Sequence, residues 1–301
     1  MVNQAEKINT IKFEKELNTE TEIKIDYLDL VLEDIKNAIT NYSEKYNGII
    51  KEKKFLNLRL SQIGKAPIIL ALENLNYKKE DEKIDQIYPL LEGHFFEAWA
   101  KALLFSKGYS VTDSQKSVEF YGVEGHLDGV LKIEEKTYVV EFKSMSESYF
   151  RQIFNNPLSI EIIKNEYRGY IKQLACYQEA MQADGAFWVI WDKGSRQIKV
   201  IELPEDVKNQ AVFNCKNIIN VIKRTKTLKE VFDNFIIPEP TPQIKWKRQT
   251  GKYLVPLELK YTNWAEVFYE IFSEDGTDFV VRVRSKEEII SLIEKTYQIT
   301  R

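Results

Sequence analysis

Cysteine is nearly absent. Cys176 and Cys215 are the two thiols in 301 residues, too few for a disulfide framework or a four-thiolate iron–sulfur cluster, and a reducing compartment is the expectation. A run of roughly 18 apolar residues, long enough to cross a bilayer, is also missing. The opening Met1-Val2-Asn3-Gln4-Ala5-Glu6-Lys7 lacks a signal peptide's apolar core. Together these absences point to a soluble cytoplasmic protein with no membrane contact. Excess positive charge is lacking too: 46 acidic residues outnumber 43 basic ones and the net charge is −3. No overall field draws the chain to polyanions, so such a contact must come from a local basic patch or a metal ion. Histidine is limited to His94 and His126, and no internal repeat or low-complexity run is evident. What the chain does have is 44% hydrophobic and 12% aromatic residues. That is ample for a core, and the length allows one large domain with additions or two domains.

The informative stretch is Gly125-His126-Leu127-Asp128-Gly129-Val130-Leu131, with its echo Tyr138-Val139-Val140-Glu141-Phe142-Lys143-Ser144. Both alternate apolar with polar, the period-2 pattern of a half-buried strand, and Glu134-Glu135-Lys136 is a polar turn between them. In the resulting hairpin, Leu127, Leu131 and Ile133 share a face with Tyr138, Val140 and Phe142. A slip of one residue would put that set into water. The opposite face then carries His126, Asp128, Val130 and Lys132 with Thr137, Val139, Glu141 and Lys143. The simplest register sets Asp128 against Glu141 and His126 against Lys143. Carboxylates directly across a strand pair repel, so a compensating cation is expected. A divalent ion held by hard oxygens fits, since Mg2+ typically takes one or two carboxylates plus phosphate and water. Lys143 points at the same spot. Two acids, an ion and an ammonium converging there form a phosphodiester-hydrolysis site.

The flanking residues narrow this. Gly93-x-x-x-Glu97, Gly125-x-x-Asp128-Gly129, Glu141-x-Lys143 and Gln173-x-x-x-Tyr177 follow one another in the order found in RecB-like and phage-type exonucleases. Over roughly residues 55–203 the chain therefore resembles the PD-(D/E)XK nuclease superfamily. A lone Asp…Glu-x-Lys arises by chance in a chain so rich in charge; four ordered elements are more specific. The resemblance implies an α/β fold with a central mixed sheet flanked by helices. It implies Mg2+ or Mn2+ bound by Asp128, Glu141 and the Phe142 carbonyl, with Glu97 completing the carboxylate set, and Lys143 handling the nucleophilic water. Gln173 would hold Lys143 or a phosphate oxygen, and Tyr177 would donate to the substrate backbone. Some relatives ligate an iron–sulfur cluster through a Cys near the Pro of the 58–67 segment; Ala66 stands there, and no cluster is expected. The implied substrate is DNA, single-stranded or at duplex ends, in a bacterial or phage-infected cell, with a recombination or replication protein as a further partner.

In chain order, residues 1–25 read as a polar arm and the spacing over 26–46 as a helix ended by Asn47-Gly48. Residues 85–107 read as a helix closed by Gly108, burying Leu90, Leu91, Phe95, Ala98, Ala102 and Phe105. Gly93 within it points to close backbone approach. His94, Glu97 and Lys101 share one face, either a solvated stripe or part of the metal site. His94 and His126 each sit beside a motif residue and either ligate or merely hydrogen-bond a carboxylate. The segment 109–120 reads as one strand and 144–157 as a loop whose Tyr149, Phe150 and Arg151 either stack on nucleic acid or lie on an ordinary surface.

Residues 160–183 read as one long helix on which Gln173 and Tyr177 are stacked and Cys176 is a small buried apolar group. The run 186–191, apolar on both faces, is a central strand, followed by an edge hairpin to Leu203 and a helix from Pro204 to about Arg224. Pro238, Pro240 and Pro242 mark a stiff linker. The expected units are an N-terminal arm and helix over 1–54, the nuclease core over 55–235, the linker over 236–243 and a small α+β appendage over 244–301. In the appendage, Lys245-Trp246-Lys247-Arg248 and Lys252-Tyr253 interleave base with aromatic, as either a nucleic-acid contact or a solvated strand edge.

The preferred expectation is a metal-dependent deoxyribonuclease acting as an exonuclease. An endonuclease on the same core, a binding platform that keeps the fold, and an assembly factor working through the appendage are the competing readings.

Overall fold

The computed structural model describes residues 56–77, 87–154, 169–246, 248–260, 262, 264–274 and 277–296. The expected arm and helix over 1–46, and the 160–168 part of the expected long helix, lie outside them. After a 3-10 turn at Leu60–Gln62 come α1 (Pro67–Asn74), α2 (Ile87–Ser106), β1 (Val111–Thr112), β2 (Ser117–Phe120), β3 (Val123–His126), β4 (Gly129–Ile133) and β5 (Lys136–Met145). These lead to α3 (Glu147–Phe154), α4 (Tyr170–Met181), β6 (Gly185–Asp192), β7 (Ile198–Glu202), α5 (Glu205–Arg224) and α6 (Leu228–Asn234). The central sheet has the order β1-β4-β5-β6-β7. It is mixed, because β5 and β6 run parallel while its other neighbours are antiparallel. The fold is thus mixed α/β with helices on both faces of a central mixed sheet.

The expected parity holds from Gly129 onward, but both faces are buried rather than one, and Leu127, expected beside Leu131, packs with Val130 and Val139 instead because the chain bends between β3 and β4. Val130, Val139, Ala186, Trp188 and Ile190 join a large apolar cluster with α1, α4 and α5. Leu131, Val140, Phe142, Phe187 and Val189 join a second cluster with Phe96, Ala100, Leu103 and Leu104 of α2. The β4–β5 register runs from Gly129 opposite Val140 to Ile133 opposite Lys136. Asp128 lies in the bend just before this ladder, not on a rung of it, and its carboxylate reaches the Glu141 side of β5 by accepting from the Phe142 N–H.

His126 is a correction. Gly125 and His126 belong to a separate β2–β3 hairpin in which His126 faces Ser117, not Lys143. The 109–120 segment is likewise two short strands, broken at a loop where Asp113 and Gln115 adopt positive φ of 54° and 57°. In α2, Phe95 and Phe105 are exposed and Phe96 and Leu104 are buried instead, since consecutive apolar residues cannot share one helix face. A Cβ at Gly93 would meet nothing within 4 Å, so no close approach requires that glycine. The 144–157 loop is largely the helix α3, where Phe150 is buried and unavailable for stacking; Arg151 pairs with Glu147 instead.

The C-terminal part holds β8 (Thr241–Lys245), β9 (Arg248–Leu254), α7 (Leu257–Lys260), α8 (Ala265–Phe268), β10 (Tyr269–Glu274), β11 (Thr277–Val283) and α9 (Lys286–Thr296). Its sheet order is β10-β11-β9-β8. The strand β8 begins within the proline-rich stretch, and Pro242 sits on the sheet edge, where a missing N–H is tolerated. Val255, Leu259, Trp264, Phe268, Ile289 and Ile293 fall in the same large cluster as the central sheet. No helix among the described residues is long and apolar enough to cross a membrane.

Candidate active site

Glu141 lies mid-strand in β5 on the face covered by α4, and only 2% of it is exposed. Its Oε1 accepts hydrogen bonds from Lys143 Nζ at 2.6 Å and Gln173 Nε2 at 2.8 Å. Its Oε2 is buried with no hydrogen-bond partner. Asp128, half-buried just before β4, accepts at Oδ2 from the Phe142 backbone N–H at 2.8 Å. Burial, then the charges of Glu141 and Glu97, push the Asp128 carboxyl well above the usual carboxylate range. Burial also raises Glu141, against the opposing pull of Lys143. Burial opposes the Lys143 charge, but Glu141 and Asp128 outweigh it and hold the ammonium above its ordinary value. Lys143 therefore offers positive charge and N–H donors, not a base. Its Nζ also sits 5.1 Å from the centroid of the Tyr170 ring.

The helix α4 places Tyr170, Gln173 and Tyr177 at i, i+3 and i+7, one face aimed at Glu141. Its start is fixed by Gly169, whose φ is +70° and whose added Cβ would lie 2.0 Å from Gly64 Cα. Any side chain there would strike backbone. The Gln173 amide holds Glu141 rather than Lys143 or a phosphate. Tyr177 is 1% exposed; its hydroxyl lies 3.4 Å from Gln173 Nε2 and hydrogen-bonds the His126 main chain. A Cβ on Gly125 would come within 2.6 Å of that tyrosine ring, so the glycine lets the β2–β3 hairpin close onto it. Tyr177 thus supports the site from beneath. Cys176 is buried against Cys215 of α5, as a small apolar group would be.

Glu97, whose charge acts on both Asp128 and Glu141, is held by partners of its own. Its Oε1 accepts from the buried Lys101 at 2.6 Å and from Gln115 Nε2 at 3.1 Å, and His94 Nδ1 lies 3.6 Å from Oε2. Burial pushes its pKa up, but His94 and the charge and hydrogen bond of Lys101 outweigh it and lower the pKa. Lys101 also reaches Ser114 at 2.6 Å. The Gln115 N–H donates to the Leu127 carbonyl at 2.8 Å, which ties this network to the residue before Asp128. Tyr170, Ser114 and Gln115 were not expected here. Tyr170 could have been found as the residue three before Gln173 on the same helix face; the loop residues carry no periodic signal.

Among the described residues, no group of three or more His, Cys, Asp or Glu side chains is gathered to hold a metal ion. Asp128 and Glu141 nonetheless suit a hard divalent cation. Both are oxygen donors, Glu141 buried and Asp128 half-buried, they repel each other, and Glu141 Oε2 lacks any partner. Two carboxylates with phosphate and water complete the usual Mg2+ shell.

A mixed α/β sheet with two facing acids and a lysine two residues beyond the second defines the class of site. No protein-family model and no curated protein matches the chain. Among solved structures, it is similar to SSO0001, with 14% identity and a TM-score of 0.38 over 70% of this chain and 95% of that one. It is also similar to an alkaline exonuclease, LHK-Exo, from Laribacter hongkongensis, with 16% identity and a TM-score of 0.38. LHK-Exo in complex with dAMP gives 15% and 0.37; each of the two alignments covers 56% of this chain and 88% of that one.

Proposed function

We propose that the chain is a metal-dependent deoxyribonuclease of the PD-(D/E)XK superfamily, hydrolysing phosphodiester bonds as an exonuclease of the RecB-like or phage recombination type. The observation that carries the reading is the state of Glu141. One oxygen is saturated by Lys143 and Gln173, and the other is buried and unpartnered beside Asp128. Such an imbalance is destabilising by itself and favourable around a cation. Asp128 and Glu141, with the Phe142 carbonyl, would hold Mg2+ or Mn2+, and Glu97 would join them on release from Lys101. When bound, such an ion supplies Lewis acidity at the phosphate and a more acidic water.

The chain's own residues supply the rest. The Phe142 amide fixes Asp128, Gln173 fixes the Glu141 rotamer, and the partly exposed Lys143 ammonium presents charge to the developing oxyanion or orients the attacking water. The preference for an exonuclease rests on the order of the four sequence motifs. DNA is the substrate of this reading, and a recombination or replication protein its partner.

The test is end-labelled linear and circular single-stranded DNA with Mg2+, Mn2+ or EDTA. Linear DNA should be degraded with either ion, circular DNA should survive, and EDTA should stop the reaction. Asp128→Ala and Lys143→Ala should each lower cleavage at least about a hundred-fold with the fold retained. Undiminished cleavage in either variant overturns the assignment, and opened circles replace the exonuclease by an endonuclease.

A further inference from the structure

The β8–β9 ribbon is built unlike the rest of the molecule. Of its described residues from Thr241 to Leu254, Gln243 alone is buried. Its link to the sheet is at the base, where Leu254 pairs with Phe279, so the distal end stands alone. At that end the turn residue is Trp246, 96% exposed, with φ +52°. A two-residue hairpin turn favours Asn or Gly at such a position, and a bulky side chain there is strained. A position that a small polar residue would fill without strain thus presents a bare indole to solvent.

The charges around it point to an anionic partner. Between Thr241 and Leu254 the sequence has Lys245, Lys247, Arg248 and Lys252 and no Asp or Glu, in a chain whose net charge is −3. Lys247 lies outside the described residues, and Lys252 is matched by Glu274. Lys245 and Arg248 face each other across the last rung; neither forms an ion pair among the described residues, and Lys245 feels Glu274 only at longer range, after that carboxylate's contact with Lys252. Like charges directly opposite in a ladder are destabilising, and two phosphates beside the indole would relieve them.

We propose that this ribbon binds a single-stranded end of the DNA, Trp246 stacking on an unpaired base while Lys245 and Arg248 hold the adjoining phosphates. The proposal rests on the nuclease reading and adds to it a contact outside the catalytic centre. A single strand fits better than a duplex, because an indole face needs a base whose own face is free.

The test is fluorescence anisotropy of a labelled oligothymidylate of about 20 nucleotides in EDTA, beside a blunt hairpin duplex, on the full chain. Trp246→Ala should weaken the single strand about ten-fold and Trp246→Phe far less, as base–aromatic stacking requires. Lys245→Glu with Arg248→Glu should also weaken it and flatten its salt dependence. The duplex should change less than about two-fold. All four substitutions are on three exposed residues, and unchanged thermal unfolding confirms the fold. Unchanged oligothymidylate affinity in Trp246→Ala overturns the proposal, and if the wild type still cleaves DNA with Mn2+ the catalytic reading stands without it. A wild type that cleaves nothing, but whose Trp246→Ala variant loses oligothymidylate affinity, supports the ribbon contact and removes the catalytic reading. Binding to phosphatidylserine vesicles that Trp246→Ala abolishes, with oligothymidylate affinity unchanged, overturns it in favour of a membrane surface.

Discussion

Asp128 concentrates the electrostatic strain of the site. Burial and the neighbouring acids hold its proton more tightly in the folded chain than in the unfolded one, where an Asp titrates near about 4. A carboxyl whose folded pKa is raised gives stability that is full below the unfolded value and lost as pH climbs through the folded one. The metal-free protein should therefore lose stability above about pH 4, and a cation that replaces the proton should restore it. Thermal unfolding in EDTA and in MnCl2 checks this: the gain in Tm from Mn2+ should be larger at about pH 8 than at about pH 5.5. Asp128→Asn should remove most of that gain, and an equal gain in the variant would place the ion elsewhere. The residues behind this prediction were legible in the sequence because strand parity brings Glu141 and Lys143 to one face of β5, while Asp128 reaches them from the bend before β4. The lock on Glu97 was only half legible. Lys101 follows it at i+4, whereas Gln115 arrives from a loop shaped by left-handed residues, for which the sequence offers no periodic sign.

At the level of elements, α4 is the part that makes two acids and a lysine into an ordered site. Gln173 and Tyr170 reach Glu141 and Lys143 only if the helix begins where Gly169 seats it against Gly64. A Cβ at Gly169 would be 2.0 Å from backbone and would occupy a left-handed φ, so neither rotamer change nor side-chain movement relieves the contact. Gly169→Ala should destabilise the fold by about 3 kcal/mol in urea unfolding. It should also lower cleavage through loss of the Gln173 hydrogen bond, whereas Gly93→Ala, with open space around it, should leave both unchanged. Elements with strong periodicity, such as β5, β6 and α4 near its motif, read correctly. Misreadings gathered where a regular pattern continues through a break. Leu127 prolongs the apolar alternation across the junction of β3 and β4, so the two strands look like one. The apolar run of α2 offers more large side chains than one face can bury, and the choice of Phe96 over Phe95 depends on how α2 docks on the sheet.

For the whole molecule, the expectation of an appendage beyond a proline-rich linker meets a continuous core. Trp264, Phe268, Ile289 and Ile293 are buried in the cluster that also holds Val139, Trp188 and Ile219. The Tyr269 hydroxyl donates to the Pro238 carbonyl, and Lys286 pairs with Asp233 of α6. Removing residues 238–301 would uncover the apolar surfaces of α6 and of the cluster beneath it, at roughly 25 cal/mol for each Å² returned to water. The full chain should accordingly unfold in one cooperative transition that tryptophan fluorescence and far-ultraviolet circular dichroism report together. The chain cut after Ile237 should lose cooperativity, bind a hydrophobic dye and aggregate, and the proposed DNA cleavage should then be lost through the fold rather than the chemistry. Trimming only the distal ribbon, by joining Ile244 to Gln249 through a short Asn-Gly turn, removes no buried residue among those described and should leave that transition in place. A truncated chain that unfolds as sharply as the full one would show that the C-terminal part packs on the core without supporting it, and only then would the proline-rich stretch mark a true boundary between independent units.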